Sequence, residues 1–263
     1  MSTLNDVKHV LLNAQYEIKK QLRRRRILLA VFFSTCLPLL YYLIPLALNR
    51  EFPDEWDDFA RRALGFVNLL VITCVALFAG DAISGEIEKK TALISYTSPQ
   101  RRTSIFIGKY LAASILTIGM VSAYYFVVLC EIGRLYGFSI DMDLLNSYLL
   151  AVLYGLGVGG LTFFFSSIFR STIVSTLTSF FTLFLALPII SVLLEFAKIR
   201  PWYLITFGAQ LITGIFGMEE IVLPELNVVF YVPNYTTTVA VMCAYALIFL
   251  FLALLISSRR QIE

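Results

Sequence analysis

Between two long apolar runs, residues 81–109 read DAISGEIEKKTALISYTSPQRRTSIFIGK, and here the chain gathers groups able to act on a partner in water. Ile83, Ile87 and Ile94 are spaced to share one helical face while Glu86, Glu88, Lys89 and Lys90 take the rest, so residues 84–94 are expected as an amphipathic helix. Glu86 precedes Lys90 by four residues, the favourable order for a surface ion pair that contributes about 0.3–0.5 kcal/mol. Ser98-Pro99 should then drive the backbone out of the helical region, with Thr103 or Ser104 capping the next apolar run. The chemistry on offer is ion pairing and docking. Bond-making groups are scarce: the one histidine, His9, lies in an N-terminal surface helix, and no His or Cys pair has metal-ligand spacing. Gly108-Lys109 lacks the rest of a phosphate-cradling loop. No catalytic residue, no metal site and no cofactor bound by this chain are therefore expected.

The elements that must position this segment are membrane spans. Of 263 residues 59% are hydrophobic, above the roughly 45–50% of soluble domains, and the mean hydropathy is +0.80. The net charge of +3 gives no reason to expect nucleic acid as a partner. Cys36, Cys74, Cys130 and Cys243 all fall inside apolar runs, where a thiol acts as a small hydrophobe, so no disulfide framework is implied. No cleavable leader is expected, because the basic run precedes a full-length span.

Residues 1–26 carry Leu4, Val7, Leu11, Ala14, Ile18 and Leu22 at helical spacing and end in Arg23 to Arg26, which suits an amphipathic helix on the cytoplasmic face of a lipid bilayer. Spans follow at about 27–48, 63–80, 105–129, 144–169, 172–194 and 236–256. The acidic stretches 49–62 and 131–143 read as short outer loops. Pro38 and Pro45 should bend the first span, and Pro188 falls near the outer end of the fifth. Residues 202–217 are apolar but fall short of the roughly 20 needed to cross, so 195–235 reads as an outer re-entrant segment holding a pair of short helices. On these boundaries 15 of the 21 Lys and Arg lie on the inner side and 12 of the 18 Asp and Glu on the outer, which puts both termini in the cytoplasm. Lys109 counts as inner because its side chain can snorkel from the first turn of its span.

Within the spans, Gly155 and Gly159 are spaced for close helix approach. Carboxylates at mid-membrane are missing, which argues against an ion-coupled carrier. Tyr124, Tyr125, Ser166 and Thr178 are the polar candidates for a substrate path, although helix packing uses the same residue types.

The order of an acidic residue, Ser-Gly-Glu, a basic pair, Thr, a short apolar run, Ser-Pro, basic residues and Gly-Lys opening a span resembles the segment between spans two and three of the type-2, exporter-type ATP-binding cassette permeases. The likeness departs at Lys90, where the pattern has Gly before Thr. The resemblance implies an all-α, six-span membrane domain that exports substrate using ATP and magnesium held by a separate ATPase subunit. It implies that residues 82–104 are a coupling segment, with Asp81, Ser84, Gly85, Glu86, Glu88 and Thr91 meeting the ATPase. It also implies a second permease chain, in a homodimer or heterodimer at the cell membrane, and makes the N-terminal helix an elbow beside the ATPase. A different class of function stays open on the residues alone: a non-transporting membrane protein whose cytoplasmic helix docks a partner. A membrane-embedded enzyme finds no acid, base or nucleophile constellation here.

Overall fold

An apolar run long enough to cross a ~30 Å hydrocarbon layer can satisfy its backbone there only by hydrogen-bonding to itself. The computed structural model has six helical stretches of that length and composition among the described residues, which are 3–90, 100–137, 141–217, 221–223 and 228–259. The fold is all-α apart from one small ribbon. Helix α1 (Thr3–Leu22) precedes α2 (Arg26–Ala47), the first span. Helix α3 (Trp56–Ala63) leads through a 3-10 turn into α4 (Val67–Ala79), and after a four-residue turn comes α5 (Ser84–Glu88). The long helices α6 (Arg102–Leu135) and α7 (Met142–Ile168) follow. The fifth span is α8 (Thr172–Phe181), a π-helical turn over Thr182–Ala186 and α9 (Leu187–Phe196). Two short helices, α10 (Ile205–Ala209) and α11 (Leu211–Gly214), precede an antiparallel ribbon of β1 (Ile221–Leu223) and β2 (Val228–Phe230), in which Val222 pairs Val229. The last span is α12 (Tyr235–Arg259).

The differences from the sequence reading have local causes. Residues 49–62 are not all loop: Trp56, Phe59, Ala60 and Ala63 form one apolar helical face that packs inward, with Asp57 and Asp58 at the start of α3 and Arg61 and Arg62 at its end, matching the helix dipole. The α6 helix continues through Leu135, beyond the expected end at 129. With 34 residues it is about 51 Å long, so a substantial part stands outside the hydrocarbon. Its N-cap is Arg101, with no side-chain hydrogen bond, instead of Thr103 or Ser104. The wide turn before Pro188 has a plain origin, because proline has no N–H to give and its ring crowds the carbonyl of residue 184.

Burial grades the spans, with α6 in between at 44%. Two thirds of the apolar window is buried in the stretches containing α4 and α7, against 17% in α2, in the fifth span and in α12. Helix α7 is the centre of the bundle, and the reason is its glycines. A Cβ on Gly160 would stand 3.0 Å from the Ala246 carbonyl oxygen and 3.2 Å from its Cα, and one on Gly157 would meet Met242 O at 3.0 Å, so α12 lies directly on α7. Gly155 and Gly159 face the other way, at ordinary contact distance from Thr117 and Val71 and from Tyr110. The approach of α12 to α7 thus uses Gly157 and Gly160, while Gly155 and Gly159, the pair expected from the four-residue spacing, pack at ordinary distance on α4 and α6.

Candidate functional site

Helix α5 is the short projection at the end of the second span, and four other parts of the chain hold its root. Ile83 and Ile87 turn inward to the core, which leaves Lys89 and Lys90 exposed at its far end. The helix ends at Glu88, earlier than the expected 94, and Lys90 adopts φ +55°. That left-handed conformation costs a residue with a Cβ about 1–2 kcal/mol, and glycine would take it freely. Residue 90 is where the permease pattern has glycine. Thr91, another residue of the expected contact set, and Ser98-Pro99 lie outside the described residues.

At its N-terminal end the free backbone donors of α5 are met by a neighbouring span. The amides of Ile83 and Ser84 donate to Ser166 Oγ at 3.0 and 3.2 Å, so a hydroxyl on α7 does the work of an N-cap. Ser84 Oγ and Ser175 Oγ both donate to the Gly80 carbonyl, at 3.3 and 2.8 Å, which ties the turn to α8. Gly80 and Gly85 permit the approach: a Cβ on Gly80 would lie 2.8 Å from Thr176 Oγ1, and one on Gly85 would touch Thr172 Oγ1 and the Asp81 side chain.

Charges complete the attachment. Asp81 is buried and its Oδ2 accepts from Arg24 at 2.6 Å and Arg26 at 2.9 Å, so the start of the first span is fastened to the end of the second. Lys109 on α6 is only 4% exposed; its ammonium donates to the Ala82 carbonyl at 2.8 Å and sits 2.5 Å from Glu86 Oε1. Glu86 therefore spends its carboxylate on Lys109, a fully buried partner from the next span, where a local pair with Lys90 was expected. Glu88 Oε2 accepts from the Thr172 amide at 2.6 Å, an anion at the N-terminus of the fifth span. Apart from the Ser84 bond to Gly80, these bonds join α5 or its turn to α6, α7, α8 and the chain entering α2.

The N-terminal helix belongs to the same assembly. It lies against α6 at Gly108, where a Cβ would stand 2.9 Å from the Val10 carbonyl oxygen. Asn13 bonds Gln100 at 2.9 Å and Asp6 pairs with Arg101 at 3.0 Å. The apolar stripe read along α1 is divided: Ala14 is buried and Ile18 packs on the core, while Val7, Leu11 and Leu22 stay exposed.

The four residues considered for a substrate path are not brought together. Tyr124 and Tyr125 are buried in the C-terminal half of α6, donating to the Ala63 carbonyl and sharing a 2.8 Å bond with Ser147. Ser166 caps α5, and Thr178 is half-buried on α8. The polar atoms of the first three are thus taken up by the chain itself. Among the described residues no group of three or more His, Cys, Asp or Glu is placed to hold a metal ion.

Residues 14–197 match the family model described as ABC-2 family transporter protein. None of the curated proteins matches the chain. The matched region runs from α1 through the fifth span and includes Asp81, α5 and Lys109, more than two thirds of the sequence. A match of that extent, on six membrane-capable helices, places this multi-pass protein in the ABC-2 transporter family, as a permease subunit distinct from the ATPase.

Proposed function

We propose that the chain exports substrate outward across the cell membrane, driven by ATP and magnesium bound on a separate ATPase subunit, and that it works beside a second permease chain. The observation that carries this reading is the way α5 is mounted. A projection of five residues, too short to be stable alone, is fixed through Asp81, Glu86, Glu88 and Ser84 to the first, third, fourth and fifth spans. A push on its exposed end by a closing ATPase pair is then delivered to four spans together, which is what a shift between two packings of a bundle requires.

In this reading Asp81, Ser84, Gly85, Glu86 and Glu88 form the rigid root, and Lys90, with Thr91 beyond it, belongs to the face that meets the ATPase. Both termini are cytoplasmic, α1 seats Val7, Leu11 and Leu22 in the membrane surface, and α10 and α11 dip into the outer leaflet without crossing. Co-purification of an ATPase from native membranes, followed by turnover measurements with and without it, tests the reading. The purified permease alone should hydrolyse no ATP, and the complex should hydrolyse it. Turnover by the chain free of any ATPase would overturn the division of labour.

A further inference from the structure

Beside α5 lies a cavity of about 550 Å³, walled by the end of α1, the starts of the first and fifth spans and the coupling helix. That volume is within the ~300–1,000 Å³ usual for small-ligand sites. Its carboxylates are already engaged: Glu17 with Lys20 at 2.8 Å, Asp81 with Arg24 and Arg26, Glu86 with Lys109, and Glu88 with the Thr172 amide. Two cations on the same wall, Arg25 and Lys89, make no ion pair with any described residue. Glu88 lies within electrostatic reach of Lys89. Yet the wall as a whole sets Lys20, Arg24, Arg25, Arg26 and Lys89 against only Glu17, Asp81, Glu86 and Glu88, so it keeps a net positive charge, with Arg25 on the chain entering the first span and Lys89 at the tip of α5. An anion between them would cancel it, and one with several oxygens would meet both at once.

The surroundings say what kind of anion. Directly past the cavity, the first turns of the first and fifth spans present Leu28 and Ile173, each 67% exposed, with Leu29, Phe32, Val174 and Leu177 continuing the exposed apolar surface. Charged groups at the ends of two spans with bare aliphatic flanks behind them match an amphiphile, its headgroup in the cavity and its chains along the helices. A free phosphate would use the charges and leave the apolar flanks uncovered. We propose that this cavity is a binding site for the phosphodiester headgroup of an anionic phospholipid, held between Arg25 and Lys89, which bridges the N-terminal helix to α5. The proposal needs only the membrane placement of the spans and is independent of the ATPase.

The test uses the full-length chain alone in detergent, with fluorescent phosphatidylglycerol as the probe. Replacing both cations, Arg25→Gln with Lys89→Gln, should weaken its binding at least tenfold. The equal-charge control Lys8→Gln with Arg23→Gln, outside the cavity wall, should change it less than twofold. Equal weakening by the two pairs would mean a diffuse basic surface and would overturn the site. Because α5 is marginal, elution profile and helicity are compared first, and Arg25→Lys with Lys89→Arg, which keeps both charges, should restore binding to within threefold; failure to do so with the fold intact also overturns it. Excess glycerol 3-phosphate should leave bound phosphatidylglycerol in place, and unlabelled phosphatidylglycerol should displace it. Displacement by glycerol 3-phosphate at the same concentration would assign the cavity to a soluble phosphate and contradict the lipid.

Discussion

Replacing Lys109 by methionine removes an ammonium that is almost wholly inside the protein and leaves Glu86 facing an apolar side chain of similar length. Removing one member of a buried pair costs about 3–5 kcal/mol, because the charge left behind has lost its partner. The Glu86 side chain is 15% exposed, so water reaches it in part and the lower end, about 3 kcal/mol, applies. At about 2–4 °C per kcal/mol for a chain of this size, the midpoint of thermal unfolding should fall by about 6–12 °C. The decisive variant is the double one, Lys109→Met with Glu86→Gln. It removes both charges, so it should recover most of the loss, with a coupling of about 2 kcal/mol between the two sites. Size-exclusion thermostability in detergent reads all four proteins of the cycle. A single variant that melts within 2 °C of the parent, or a double variant no better than the sum of the singles, would show that this pair does not anchor α5 to the third span.

Three further outcomes are expected. Gly160→Val should lower stability by about 1–3 kcal/mol by pushing α12 off α7, whereas Gly155→Ala, with its neighbours at 3.5 Å or more, should be close to neutral; thermal melts of the two variants check this. Lys90→Gly should be at least as stable as the parent and Lys90→Val less stable by about 1 kcal/mol or more, since a β-branched residue fits poorly at φ +55°. In a background without the four native cysteines, single cysteines at Ser2 and Gln261 should both be shielded from an impermeant external reagent, and labelling of Gln261 alone would mean that residues 195–235 cross the membrane.

Much of the architecture could be read from the residues, because a membrane span announces itself as a continuous apolar run and five of the six expected ends on the N-terminal side lie within three residues of those found. What extended beyond the runs could not be read the same way. Helix α3 and the last turns of α6 contain charged residues, and only the spacing of Trp56, Phe59, Ala60 and Ala63 signalled a helix in the stretch taken for a loop. The site was legible as a segment and less so as a set of contacts. Asp81 and Lys109 were visible as charges at span ends, but their partners Arg24, Arg26 and Glu86 come from other elements. The local rule favoured Glu86 with Lys90, worth a few tenths of a kcal/mol, and a buried lysine that needs a carboxylate outweighed it. Opposite charges at the facing ends of spans two and three were the available signal. Among the glycines, the four-residue spacing selected Gly155 and Gly159, while the three-residue pair Gly157 and Gly160 proved to be the one on which α12 rests.

The proposed passage of motion from an ATPase through α5 to the spans is tested most directly by charge reversal at the exposed tip of that helix. Lys90→Glu leaves the Asp81, Glu86 and Glu88 attachments in place and alters only the docking face. With the co-purified ATPase, it should reduce association or substrate-stimulated turnover tenfold or more, about 1.4 kcal/mol, while expression and membrane insertion stay normal. The control Glu55→Lys, in the segment between the first two spans, should match the parent. Association and turnover of Lys90→Glu equal to those of Glu55→Lys would contradict the coupling role of α5.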